Sequence, residues 1–60
     1  MSRAFQLGLV VQLIDDAGPA GLTVTELAAK SKLSPEDLIE VLALAIGSGH
    51  VKRVEKYVSI

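Results

Sequence analysis

Residues 22–49 read LTVTELAAKSKLSPEDLIEVLALAIGSG, two helical patterns separated by a short break. Thr23 followed by Glu26 is a capping box, in which the hydroxyl accepts from the third backbone N–H of the helix and the carboxylate reaches back to the cap. Leu27 and Ala28 carry the apolar side of this helix, and Lys32-Leu33-Ser34 interrupts it. Ser34-Pro35-Glu36-Asp37 opens the next one: Ser34 is an N-cap, Pro35 fits the first helical position, where no N–H is needed, and the two acids suit the positive end of the helix dipole. Leu38, Val41, Leu42 and Ala45 recur at i, i+3, i+4 and i+7 and form a core face flanked by Ile39 and Ile46. The opposite side carries Glu36, Asp37, Glu40, Ala43 and Leu44. Two capped helices whose caps stand eleven residues apart predict a helix-turn-helix arrangement.

Upstream, Arg3 to Ala17 reads as a further helix with an unusually wide apolar arc. At about 100° per residue, Phe5, Leu9 and Leu13 line one ridge and Leu7, Val10, Val11 and Ile14 another on roughly the opposite side. Either both ridges are buried inside the domain, or one seals the core and the other meets a second copy. Because so small a domain rarely surrounds a helix completely, self-association through this helix is expected, with Phe5, Leu9 and Leu13 as the exposed ridge. Ala17-Gly18-Pro19-Ala20-Gly21 stops the helix, glycine closing it in a left-handed cap and proline preventing its extension.

Downstream, Gly47-Ser48-Gly49 is a C-cap. His50 to Val54 and Tyr57 to Ile60 are β-branched and aromatic enough for two short strands, with Glu55-Lys56 as the turn between them. That turn lacks the Asn-Gly or Asp-Gly of a tight hairpin. The expected core holds Leu27, Leu38, Val41, Leu42, Val51 and Val58, with Glu36 and Glu40 outside. The fold class is mainly α with a small β-hairpin, formed as a single domain over residues 1–60.

Size and composition bound the rest. A chain of sixty residues buries only roughly 60% of its unfolded surface, so its stability is marginal. It has no cysteine and one histidine, which excludes disulfide staples and thiolate metal sites. Half the residues are hydrophobic, and a mean hydropathy of +0.46 implies more apolar surface than one small core hides. Six basic against seven acidic residues give no global attraction to a polyanion. The uncharged stretch Ala4–Ile14 is too short for the about twenty residues that cross a bilayer, and Asp15-Asp16 closes it with no small-x-small cleavage site after it. A cytoplasmic protein with no membrane contact is expected. No glycine-rich phosphate loop or catalytic constellation is present, so neither an enzyme nor a cofactor is expected; His50, beside the C-cap, reads as a capping or exposed residue and Tyr57 as a strand residue over the core.

Helix, capped helix pair, glycine stop and hairpin is the order of a winged-helix domain. On Leu22, Thr23, Glu26, Leu27, Ala28, Leu33, Ser34, Leu38, Leu42, Gly49, Val51 and Arg53, the chain resembles the winged helix-turn-helix of bacterial and archaeal transcriptional regulators. It is also similar to the winged-helix dimerisation domain at the start of small-molecule O-methyltransferases. The first resemblance implies a three-helix core with a C-terminal wing, and a dimeric DNA-binding regulator of transcription. The second implies a dimerisation or docking module.

The charges set the two functions against each other. A recognition helix normally supplies Arg, Lys, Asn or Gln to base edges and phosphates. Residues 34–50 hold three acids and no Lys or Arg. The candidate duplex DNA contacts are therefore Lys30, Lys32 and Ser34 around the turn and Lys52, Arg53 and Lys56 in the wing, the last three being the better phosphate binders. DNA binding stands first because it is the commonest use of the fold; a protein partner on the acidic second helix of the motif is the alternative.

Overall fold

In the computed structural model, which describes residues 2–60, three α-helices precede one antiparallel hairpin. Helix α1 (Arg3–Ala17) leads through a 3-10 turn at Gly18–Ala20 to α2 (Val24–Ser31) and α3 (Pro35–Gly47), followed by strands β1 (Val51–Arg53) and β2 (Tyr57–Ser59). Each helix starts where a side chain takes up a backbone donor that the first turn cannot satisfy. Ser2 Oγ accepts from the Phe5 N–H at 3.1 Å, and Ser34 Oγ accepts from the Asp37 N–H at 3.2 Å. At α2 the capping box is complete: Thr23 Oγ1 accepts from the Glu26 N–H at 3.1 Å, and the Thr23 N–H donates to Glu26 Oε1 at 2.9 Å.

The break between α2 and α3 is made by Lys32, in the left-handed region at φ 60° and ψ 20°, whose N–H donates to the Ala28 carbonyl at 3.0 Å. Ser31 is buried there and its Oγ accepts from the Leu33 N–H, so the apolar Leu33 can turn inward. The core gathers Val10 and Ile14 of α1, Leu22, Leu27, Leu33, Val51 and the α3 face of Leu38, Val41, Leu42 and Ala45. Glu36 and Glu40 are exposed. Val58 is only half-buried, because it lies on the side of the hairpin that faces Pro19 and Ala20 across an open groove.

Three expectations are corrected. Helix α1 seals the core through the ridge of Leu7, Val10, Val11 and Ile14, with Val10 and Ile14 fully buried and Leu7 and Val11 packed against them, but the other ridge is divided, since Leu13 packs on the core with Ala17 beside the buried Gln6. Leu13 is therefore not part of a free ridge; Leu9 is half-buried, and Phe5 stands 60% exposed. The cause is that α1 is covered from several directions, by α2, α3 and β2 together. Second, Ile39 and Ile46 do not close the core's flanks but are 64% and 43% exposed, since no element packs over that side of α3. Third, the strands are shorter than expected, pairing Val51 with Ser59, Lys52 with Val58 and Arg53 with Tyr57. Val54, Glu55 and Lys56 form a three-residue bend in place of a two-residue turn, because Glu55-Lys56 offers no residue that readily takes positive φ. The end of α1 also departs in detail: Gly18 has φ 64° but ψ −151°, an extended mirror-image conformation and not a left-handed helical cap.

One element had no sequence signal. Leu22 pairs with Tyr57, its N–H donating to the Tyr57 carbonyl at 3.0 Å and its carbonyl accepting from the Tyr57 N–H at 2.9 Å. A hairpin of three-residue strands is marginal alone, and this bridge fastens it to the connection between α1 and α2. Gly21 makes the approach possible: at φ 68°, a Cβ there would stand 2.6 Å from the Tyr57 carbonyl oxygen and 2.6 Å from Val58 Cγ1. Among the described residues no helix is long and apolar enough to cross a membrane.

Gly21→Ala and Gly18→Ala form a matched pair, since both glycines have positive φ but nothing lies within 4 Å of a Cβ at Gly18. Both should lose stability through backbone strain, and Gly21→Ala should lose about 1–3 kcal/mol more through its collision with the hairpin. Urea unfolding of the two variants checks this; equal losses would mean that the hairpin yields freely.

Candidate functional site

The surface with most to say is the outer side of α3. Its inward face is occupied by Leu38, Val41, Leu42 and Ala45, so Glu36, Ile39, Glu40, Ala43, Leu44 and Ile46 are left to solvent. Leu44 is 48% exposed and, with Ile39 and Ile46, gives the middle and C-terminal part of the helix an apolar outer surface. The acids lie at the N-terminal end, where they complement the helix dipole. Ser34 spends its hydroxyl oxygen on capping this helix, accepting from the Asp37 N–H at 3.2 Å, and so positions the helix end.

Those acids are partly neutralised from within the chain. Arg3, at the start of α1, donates from Nη2 to Glu40 Oε2 at 2.6 Å and from Nη1 to Asp37 Oδ1 at 3.3 Å and Gln6 Oε1 at 2.7 Å. Both ion pairs are substantially exposed, so each is worth less than about 1 kcal/mol. Their effect is on the surface field: one of the six basic residues is tied to the very helix that a polyanion would have to approach. Glu36 is left as the α3 acid with no ion pair among the described residues. Sequence reading did not find this clamp; its partners lie 34 and 37 residues from Arg3, beyond any local pattern.

Lys30, Lys32, Lys52, Arg53 and Lys56 are all exposed, and none forms an ion pair among the described residues. They do not form one patch. Lys52 and Lys56 line a groove between the hairpin and the 3-10 turn, with Pro19, Ala20 and Val58, and Glu55 intrudes on it. Arg53 follows Lys52 and so projects from the other side of the strand, where its guanidinium lies 5.9 Å from the centroid of the Tyr57 ring. Lys30 lines a second recess with Glu26 and Asp16, and Lys32 sits on the break itself. The Glu26 carboxyl is held below its ordinary value of 4.5 by its hydrogen bonds to the Thr23 backbone and hydroxyl, with smaller help from Lys56 and Lys30. His50 is exposed just past α3, its N–H donating to the Ala45 carbonyl at 3.1 Å. Among the described residues no group of three His, Asp or Glu could hold a metal ion.

Two measurements follow from this geometry. Lys32→Gly should raise stability by about 1 kcal/mol, because glycine takes the left-handed conformation without steric cost; a lower urea midpoint would mean that the lysine stem makes a contact that outweighs the strain. Glu26 has a depressed pKa in the folded chain, so its stabilising effect is full above 4.5 and is lost as pH falls through the lower folded value. The stability gap between the parent chain and Glu26→Gln should accordingly shrink on acidification below that point and stay flat near neutrality, as thermal melts across pH will show.

No protein-family model, curated protein or solved structure matches the chain.

Proposed function

We propose that the chain is a winged-helix domain that acts as a protein-interaction module, with the outer side of α3 as its docking face. The fold reading is supported by the element order, by the capped helix pair around Lys32-Leu33-Ser34, and by the Leu22–Tyr57 bridge that seats the hairpin against the helices. The single observation that carries the functional reading is the composition of the α3 outer face. Ile39, Ala43, Leu44 and Ile46 are exposed where a groove-reading helix would present donors, and the charged groups on that face are Glu36 and Glu40. An apolar surface of this kind gains by leaving water against another apolar surface, gains nothing from phosphates and meets only the thymine methyl among base edges. The cytoplasmic setting expected from the sequence belongs to the same proposal.

A DNA-binding role as a transcriptional regulator is the second reading, favoured by the five exposed cations that form no ion pair among the described residues. A salt titration against generic duplex DNA separates the two. Under the interaction reading there is no binding at physiological salt, and any binding at low salt has a log–log slope no steeper than roughly −3, the value for about three phosphate contacts. It weakens alike for all sequences when Lys52 and Arg53 are replaced by alanine, and is indifferent to Glu36→Gln, since α3 stays away from the duplex. Several-fold tighter binding by Glu36→Gln would place α3 in the groove and sink the interaction reading.

A further inference from the structure

We propose that the groove between the hairpin and the 3-10 turn binds an extended acidic segment of a partner protein, with two carboxylates set two residues apart and an aliphatic side chain following on the same side. The site stands apart from the α3 outer face, none of whose residues lines the groove, so it goes beyond the reading above. The groove has a volume of about 530 Å³, walled on one side by Pro19 and Ala20 and on the other by a quartet from the hairpin. Within the quartet, Lys52 pairs with Val58, and the bond from the Val54 N–H to the Lys56 carbonyl, 3.1 Å long, carries the ladder one step further and sets Val54 opposite Lys56. The two lysines therefore hold one diagonal and the two valines the other.

That diagonal fixes the pattern of the ligand. Diagonal neighbours in an antiparallel pair stand about 7–8 Å apart, and residues i and i+2 of an extended chain, which share a side, about 6.6 Å apart. Two acids so placed reach both lysines at once. Lys52 and Lys56 are exposed and form no ion pair among the described residues, and Lys56 acts on the Glu26 carboxyl only from a distance. Apolar groups make up much of the remaining lining: Pro19 and Ala20 are exposed, Val54 is 69% exposed and Val58 half-buried, so an aliphatic side chain at i+4 displaces water there. Glu55 also lines the groove. A nucleic acid strand, charged at every residue, would set a phosphate against that carboxylate and gain nothing from the valines, whereas a peptide can place a neutral residue beside it. The walls are held in place beforehand, because Gly21 lets Val58 and Lys56 close on the turn and the Leu22–Tyr57 bridge fixes the hairpin, so little order is lost on binding.

Fluorescence anisotropy of the whole chain against a labelled peptide in which aspartate, serine, aspartate, serine and leucine succeed one another should show saturable binding below millimolar concentration, weakening as salt rises. Exchanging both aspartates for asparagine, or the leucine for serine, should weaken it several-fold. These changes leave the chain untouched, so the test holds even where a chain variant folds poorly. Lys52→Ala and Lys56→Ala should each cost several-fold, and Lys30→Ala, an exposed cation of the other recess, should cost nothing. Absence of saturation up to millimolar chain would overturn the proposal, as would indifference to the leucine. Equal losses from Lys30→Ala and Lys52→Ala would reduce the binding to general surface charge and overturn it too. A labelled oligothymidylate that binds more tightly than the peptide, and loses that binding in Lys56→Ala, would make the groove a phosphate site instead.

Discussion

The backbone pair between Leu22 and Tyr57 is the constraint on which the arrangement depends. Its two hydrogen bonds, 3.0 and 2.9 Å long, join the connection after α1 to the second strand of the hairpin, and so bring the two ends of the sequence into one unit. With the bridge in place, Val51 is held against Ala45 and the rest of the core face, and Tyr57 packs at its edge. Gly21 is what allows it, since its missing side chain leaves the space that the Tyr57 carbonyl and Val58 occupy. A backbone contact made this close cannot be moved by repacking side chains, which is why the hairpin has one seat on the helices.

The same economy explains the surface. The core is built from one stripe of α1, one face of α3 and single residues from the connecting segments, and with no cysteine in the chain it has no disulfide to assist it. Helix α1 is the element that the others cover, so its apolar residues other than Ala4, Phe5 and Leu9 are absorbed by the core. Helix α3 is covered on one side only, and its remaining apolar residues have nowhere to go within the chain. The mean hydropathy of +0.46 thus appears at the surface, in Ile39, Leu44 and Ile46 of α3 and in Phe5, Val24, Val54 and Ile60 elsewhere.

What could be read beforehand was the chemistry that acts over three or four residues. Thr23 with Glu26 and Ser34 with Asp37 fix helix starts through contacts that the sequence spells out, and the i, i+3, i+4, i+7 series of α3 gives its buried face correctly. The hairpin ends were less legible because Glu55-Lys56 does not encode a turn type, leaving the pairing to tertiary contacts. Periodicity grouped Leu7, Val10, Val11 and Ile14 as one ridge of α1, and these residues do meet the core, but it could not divide Phe5, Leu9 and Leu13, because only the neighbours decide how far a wide apolar arc is covered. The Arg3 clamp and the Leu22 bridge are long-range contacts between residues whose types are unremarkable in their own surroundings. The candidate nucleic-acid residues were legible as exposed cations and not as a patch, because strand alternation separates Lys52 from Arg53 while the sequence sets them side by side.

That alternation has a consequence for solubility. Strand β2 is flanked by β1 on one side and Leu22 on the other, so β1 is the strand with an open edge. An open edge can recruit a strand from another molecule and begin uncontrolled stacking, and natural sheets commonly guard against this with charged side chains, lysine above all. Lys52 and Arg53 occupy two of the three positions of β1, one on each side of it. Placed there, the two cations set edges of like molecules against one another by mutual repulsion, a duty that requires no ligand and falls on the one strand whose outer edge has no partner strand.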